Sequence, residues 1–212
     1  MSLKRRFRPN IIITGTPGCG KSTTCELLMR KLESDNYNKD AEYSYFNISE
    51  YAKENKLLEG YDESRKSHII DEDKLLDELE PLMRQGGCII DWHCNDIFPE
   101  RLIDLVVVLR CDNGKLYDRL NKRGYHLSKI QENLDAEIMG IVYQDALDSY
   151  VQEIIIELSS DSIQEMESNV ERVAEWLNLW CNQHKDGITN ELKEFQKLRK
   201  EKETSDTEDS IE

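Results

Sequence analysis

The sequence predicts an α/β fold: a five-stranded parallel sheet with helices on both faces. Two observations predict it. "GTPGCGKST" (15–23) matches the spacing G-x-x-x-x-G-K-[ST] through Gly15, Gly20, Lys21 and Ser22. On either side of it, short β-branched runs alternate with helical patterns along the chain, as in a parallel sheet wrapped by helices. Together they place the chain in the P-loop NTPase class.

The elements follow in order. "NIIIT" (10–14) is the first strand, apolar throughout as a strand buried on both faces must be. Gly15, Gly18 and Gly20 then let the backbone turn tightly, so that several N–H groups converge on one anion. Cys25, Leu28, Met29 and Leu32 recur at helical spacing, and that helix brings its positive end to the same phosphates. Lys21 supplies a point charge for the β- and γ-phosphates, and the Ser22 hydroxyl is placed to ligate Mg²⁺. Such a match arises by chance in roughly one chain in a hundred of this length, which decides against a mere chain reversal.

"YSYFNI" (43–48) is the second strand. "DEDKLLDELEPLMRQ" (71–85) is a helix with an acidic first turn and Leu75, Leu76, Leu79 and Leu82 on one face. Gly86-Gly87 ends it; a strand follows, so this is a turn and not a second phosphate loop. "CIIDW" (88–92) and "LVVVLR" (105–110) are the third and fourth strands. "SKIQENLDAEIMGIVYQDALDSY" (128–150) reads as one helix opened by a Ser128/Gln131 capping box, repeating Ile130, Leu134, Ile138 and Val142. "EIIIEL" (153–158) is the fifth strand, and Ile163, Met166, Val170, Val173, Leu177 and Trp180 mark the last core helix.

A chain of 212 residues suits one α/β domain, expected over 1–184. The charged stretch 185–212 follows, where "NELKEFQKLRKEKE" suggests an exposed helix and "TSDTEDSIE" has no core-forming pattern. Ser205 and Thr207, each with acids just after, are candidate phosphate acceptors. No apolar run approaches the roughly 18 residues of a membrane span, and the basic start lacks the apolar core of a secretory signal. Lys4, Arg5, Arg6 and Arg8 read as a solvated basic end, with a nuclear-import patch as the alternative. Six cysteines without a C-x-x-C pair read as reduced thiols of a cytosolic or nuclear protein. The net charge of −15 argues against broad nucleic-acid affinity and suits a basic protein partner.

The reaction class rests on a second constellation, "CIIDWHCNDIFPER" (88–101). Asp91 ends a buried strand, where P-loop proteins carry the carboxylate that orients Mg²⁺. His93 stands two residues on, so an extended chain points it to the same side, where it can orient or deprotonate a water. The competing readings are a strand-end Asp capping the next turn and a histidine satisfied by backbone. Arg119 and Arg123 lie four apart at a helix end and can clamp a nucleotide and neutralise charge developing in phosphoryl transfer; a solvated basic face is the alternative.

"NIIITGTPGCGKST", "GYDE…IIDEDKLLDELEP", "DWHCNDIFPERLIDLVVVLR" and "RLNKRGY" together resemble the adenylate kinase isoenzyme six family, over roughly residues 9 to 183. The resemblance implies an adenylate-kinase-like P-loop protein with weak, broad nucleoside monophosphate kinase activity and an ATPase activity. It implies a role in late maturation of the small ribosomal subunit, association with the pre-ribosome through a platform ribosomal protein, and a place in nucleus and cytoplasm. It assigns the D-x-H pair, Asp91 and His93, to the ATPase step. ATP contacts fall on Gly18, Gly20, Lys21, Ser22, Thr23 and Arg123, with Mg²⁺ on Ser22 and, through water, Asp91. The lid spans about 122–132 and the monophosphate-binding segment about 47–70; a monomer is expected.

Two departures weaken an efficient kinase. "NISEYAKEN" offers Lys53 where ordinary adenylate kinases carry an arginine, and lysine cannot reproduce a bidentate fork. Residues 130–150 hold no Lys or Arg, where further arginines usually stand. Three readings follow: a kinase converting ATP and AMP to two ADP, an ATP-driven assembly factor holding a basic ribosomal protein, and a small-molecule P-loop kinase. The acidic balance and the departures favour the second as the biological role and the first as the measurable activity.

Overall fold

Ile11, Ile12 and Ile13 are fully buried, and the strand they form is the centre about which the chain is built. The computed structural model describes residues 5–34, 43–63 and 67–191. In chain order these form β1 (Arg5–Arg6), β2 (Ile11–Gly15), α1 (Lys21–Ser34), β3 (Ser44–Asn47), α2 (Ile48–Glu54), β4 (Leu58–Asp62) and β5 (Ser67–Ile70). After them come α3 (Glu72–Met83), β6 (Cys88–Asp91), β7 (Leu105–Arg110), α4 (Asn113–Lys122), α5 (Leu127–Met139) and α6 (Ile141–Ser149). The chain continues with β8 (Ile155–Ser159), α7 (Ile163–Gln183) and β9 (Ile188–Thr189). The main sheet has the order β3-β6-β2-β7-β8 and is parallel throughout.

Alternation along each strand divides the core in two. Ile11, Ile13, Ile89, Val107 and Leu109 face α1, α4, α5 and α7. Ile12, Ile90, Val106 and Val108 face α2, α3 and α6, with Trp92, Phe98 and Leu102 filling in below them. Asn10 locks the entry to β2: its amide donates to the Met83 and Leu102 carbonyls at 2.7 and 2.8 Å and accepts from Cys88 N at 3.0 Å. All five expected strands of the sheet are present, each within two residues of its expected bounds. Gly86 and Gly87, both at positive φ, end α3 as the turn expected there.

Four expectations need correction. The stretch 128–150 is two helices, because Gly140 adopts a left-handed conformation (φ 65°) between α5 and α6. No capping box forms at Ser128; the helix begins one residue earlier and is capped by His126 without a side-chain bond. The helical repeat therefore fails at Ile138, which is exposed. The capping box is instead at α7, where Ser162 and Glu165 satisfy each other's backbone. Arg6 is not a solvated basic residue: it is buried and paired with Asp104, while Arg6 Nε donates to Asn190 at 2.8 Å. That contact and the antiparallel pairing of β1 with β9 carry the folded unit past residue 184 to at least 190. Lys4, Ser205, Thr207 and the remainder of the charged stretch, 192–212, lie outside the described residues. Among the described residues no helix is long and apolar enough to cross a membrane, and all six cysteines are free.

Candidate functional site

The phosphate loop is held open by its neighbours as well as by its own glycines. A Cβ at Gly15 would stand 2.5 Å from the Leu109 carbonyl oxygen, and one at Gly18 2.6 Å from a Leu116 methyl. Both residues also have φ above +100°, as does none but glycine without strain. Gly20, at φ 93°, delivers the chain into α1, whose first-turn amides at Lys21, Ser22 and Thr23 have no partner within the helix. Lys21 Nζ donates to the Gly15 carbonyl at 2.7 Å and reaches that of Thr16 at 3.3 Å. Burial holds its pKa below the ordinary lysine value; the charge of Arg123 works in the same direction and that of Asp91 against it.

Asp91 is buried at the end of β6, in register with Ile13 of β2 and Asn47 of β3. Its Oδ2 accepts from Tyr45 OH at 3.0 Å and Asn47 Nδ2 at 2.9 Å, and Asn47 Nδ2 lies 3.4 Å from Ser22 Oγ. One amide therefore joins the loop serine to the strand-end carboxylate. The two oxygens belong to the hard donor class that suits Mg²⁺. Among the described residues no group of three or more His, Cys, Asp or Glu could itself hold a metal ion. A cation here would depend on phosphate oxygens as well, in the manner of Mg²⁺.

His93 leaves the strand as an exposed residue, its backbone carbonyl held by Thr14 Oγ1 at 3.3 Å. Desolvation by the surrounding walls, then the charges of Lys21 and Lys129, push its pKa down to about 4. The imidazole is therefore neutral at pH 7. Its edge contact with Trp92, which in turn packs on Phe98, fixes the ring's base.

Arg119 and Arg123 are placed differently. Arg119 Nη1 lies 3.3 Å from both the Gly18 carbonyl and Cys111 Sγ, bracing the loop from α4. Arg123 caps the same helix, exposed, with its charge felt at Lys21. The stretch 122–132 is a corner: the end of α4, a turn containing Gly124 at φ 74°, and the start of α5. The stretch 47–70 is α2 followed by the antiparallel β4–β5 hairpin, apart from residues 64–66, which lie outside the described residues. Lys53 sits exposed in the last turn of α2.

Glu137 of α5 was not foreseen. It is buried, accepts from Thr16 Oγ1 of the phosphate loop, from Arg110 Nε at 2.7 Å and from Cys111 N at 3.0 Å. Beyond Lys129 this helix holds no basic residue, and a carboxylate braces the loop instead. Its signal was present: Ile130, Leu134, Glu137 and Ile141 recur at helical spacing, and an acid within an apolar stripe needs buried partners. Asn47 and Tyr45 had a fainter one, as polar side chains spaced two apart at the end of an apolar strand.

A family model described as AAA domain matches residues 11–140. The chain is 64% identical over 187 residues to an adenylate kinase isoenzyme 6 homolog of Saccharomyces cerevisiae, covering 88% of this chain and 91% of that protein. A homolog of the same name from Candida albicans is 53% identical over 193 residues, covering 90% and 77%. Among solved structures, a shikimate kinase from Bacteroides thetaiotaomicron aligns at 19% identity and a TM-score of 0.43, covering 80% of this chain and 98% of that one.

Proposed function

The chain belongs to the adenylate kinase isoenzyme 6 family, and we propose that it both transfers the γ-phosphate of ATP to AMP and hydrolyses ATP. The observation that carries this reading is the convergence of Lys21, Ser22, Asp91 and His93 on one phosphate loop. Amides of Gly18, Gly20, Lys21, Ser22 and Thr23 hold the nucleotide's phosphates, and Lys21, Arg119 and Arg123 balance their charge. Ser22 and Asp91 would hold Mg²⁺, which would offset the charge of the phosphates. His93, neutral, accepts a hydrogen bond from a water and orients it. Transfer to AMP needs no such base, because the acceptor is already a phosphate oxygen. The 47–70 segment takes the acceptor and the 122–132 corner closes over the donor, excluding water.

The biological role in this reading is assembly of the small ribosomal subunit. The chain binds a platform ribosomal protein, associates with the pre-ribosome and works as a monomer in nucleus and cytoplasm. Charge supports a basic partner. Glu72 and Asp145 are both held above the ordinary carboxylate range, first by burial and then by Asp96, with Asp73 and Glu59 acting on one and Asp148 on the other. Such an acidic flank, in a chain at −15, can stand in for RNA against exposed Lys and Arg.

ATP labelled at the γ-phosphate tests the chemistry. With AMP present, label should appear in ADP by transfer and in free phosphate by hydrolysis. His93→Ala should lose most of the free-phosphate label while keeping label in ADP. Label absent from ADP at every AMP concentration would leave an ATPase alone.

A further inference from the structure

Asn47 uses both ends of its side-chain amide. Oδ1 caps α2, accepting from Glu50 N at 3.2 Å. Nδ2 donates to Asp91 Oδ2 at 2.9 Å and lies 3.4 Å from Ser22 Oγ. The backbone explains the placement: Asn47 ends β3 in direct register with Asp91, and the chain enters α2 at the next residue. A single rigid amide thus spans the helix that opens the 47–70 segment and two oxygens, Ser22 Oγ of the phosphate loop and Asp91 Oδ2 at the end of β6.

We propose that Asn47 is a positioning residue coupling the seating of the acceptor nucleotide in the 47–70 segment to the orientation of Asp91 and Ser22 toward Mg²⁺. This rests on the kinase reading above. The amide is planar, so its two ends cannot move independently. A displacement of the first turn of α2 carries Oδ1 with it and turns Nδ2 relative to Asp91. Tyr45 donates to the same carboxylate oxygen, at 3.0 Å, but Tyr45 takes no part in the cap of α2. Asp91 is therefore held by one donor that caps α2 and one that does not, although the Tyr45 hydroxyl also meets the Asn47 side chain. Oδ1 of Asp91 accepts no hydrogen bond from the described residues, so the pair of donors on Oδ2 sets which way the free oxygen faces. Coupling of this kind is reciprocal: an acceptor that fixes α2 favours the metal, and the metal favours the acceptor.

Calorimetric titration of Mg²⁺ into protein with a non-hydrolysable ATP analogue, with and without AMP, reads the coupling directly. In the native protein AMP should tighten Mg²⁺ binding by about fivefold or more. Asn47→Ser keeps an N-cap acceptor, so its unfolding temperature should stay near the native one. Its hydroxyl is too short to reach Asp91 as well, and the AMP effect should fall below about twofold. Tyr45→Phe removes the other donor and leaves the cap of α2 in place; it should weaken Mg²⁺ binding and keep the AMP effect. If Asn47→Ser fails to fold, Asn47→Asp retains the cap and sets a carboxylate against Asp91, and must also lose the AMP effect. A native AMP effect in a folded Asn47 variant overturns the coupling, as does its absence from native protein that binds both ligands. Native protein that binds the analogue with Mg²⁺ but never AMP overturns the kinase reading, and the coupling with it.

Discussion

The donor side and the acceptor side of the cleft are built to different standards. Around the phosphate loop several groups have a second support: Gly18 packs on Leu116, Thr16 is tied to Glu137, Arg119 braces the Gly18 carbonyl, and Asp91 is held by two donors. On the acceptor side the one cation of α2, Lys53, is exposed. Rigid support fixes geometry before the ligand arrives, and that is what lowers a barrier to phosphoryl transfer. On the proposed reading, the difference means that ATP is gripped and the acceptor only admitted, so that water would compete with AMP for the same phosphate.

The comparison can be broken most severely at Lys21. Lys21→Ala should lower both transfer and hydrolysis by about a hundredfold or more. The lysine bonds only to loop carbonyls, so the unfolding temperature should hardly move; turnover and melting measured on one sample check both halves. Unchanged turnover would remove the phosphate-loop reading. Glu137→Ala attacks the support instead of the charge. It leaves the Cys111 N–H buried without its acceptor and Arg110 with only Glu157 and a carbonyl. Because Arg110 is partly solvated, the loss should be about 2 kcal/mol of stability, seen in urea unfolding, with ATP binding weakened as the loop loosens. The smallest change sharpens the comparison: Lys53→Arg restores a planar fork to α2 and should raise AMP-dependent transfer about threefold while leaving hydrolysis alone. A rise in hydrolysis alongside it would show that the two sides are not separable in this way.

The same contrast explains what the sequence made legible. Strands β2, β6 and β7 announce themselves as buried apolar runs, and the phosphate loop because glycine spacing is a local signal; β3 and β8 are only partly buried and rest on aromatic and β-branched residues. The β4–β5 hairpin does not: "LEGYD" is mostly exposed, holds a glycine and bulges after Leu58, so no alternating pattern marks it. The break at Gly140 hides inside an unbroken helical repeat, since a lone glycine can be tolerated in a helix or can end one. Lys21, Ser22 and Asp91 were legible because their spacing or their place at a strand end is enough. Asn47, Tyr45 and Glu137 act through partners brought near only by strand register and helix docking, which no local pattern encodes. The buried pair Arg6–Asp104 was misread for the same reason, as a charge at the start of a chain carries no mark of burial.

The central claim, a gripped donor and a loosely admitted acceptor, is tested most directly by ADP formation measured against AMP concentration at saturating ATP, and against ATP concentration at saturating AMP. One missing charge-assisted fork corresponds to about tenfold in affinity. The account predicts a KM for AMP at least about tenfold above that for ATP, with ATP still consumed when AMP is absent. A KM for AMP equal to or below that for ATP, together with no consumption of ATP without AMP, would contradict it.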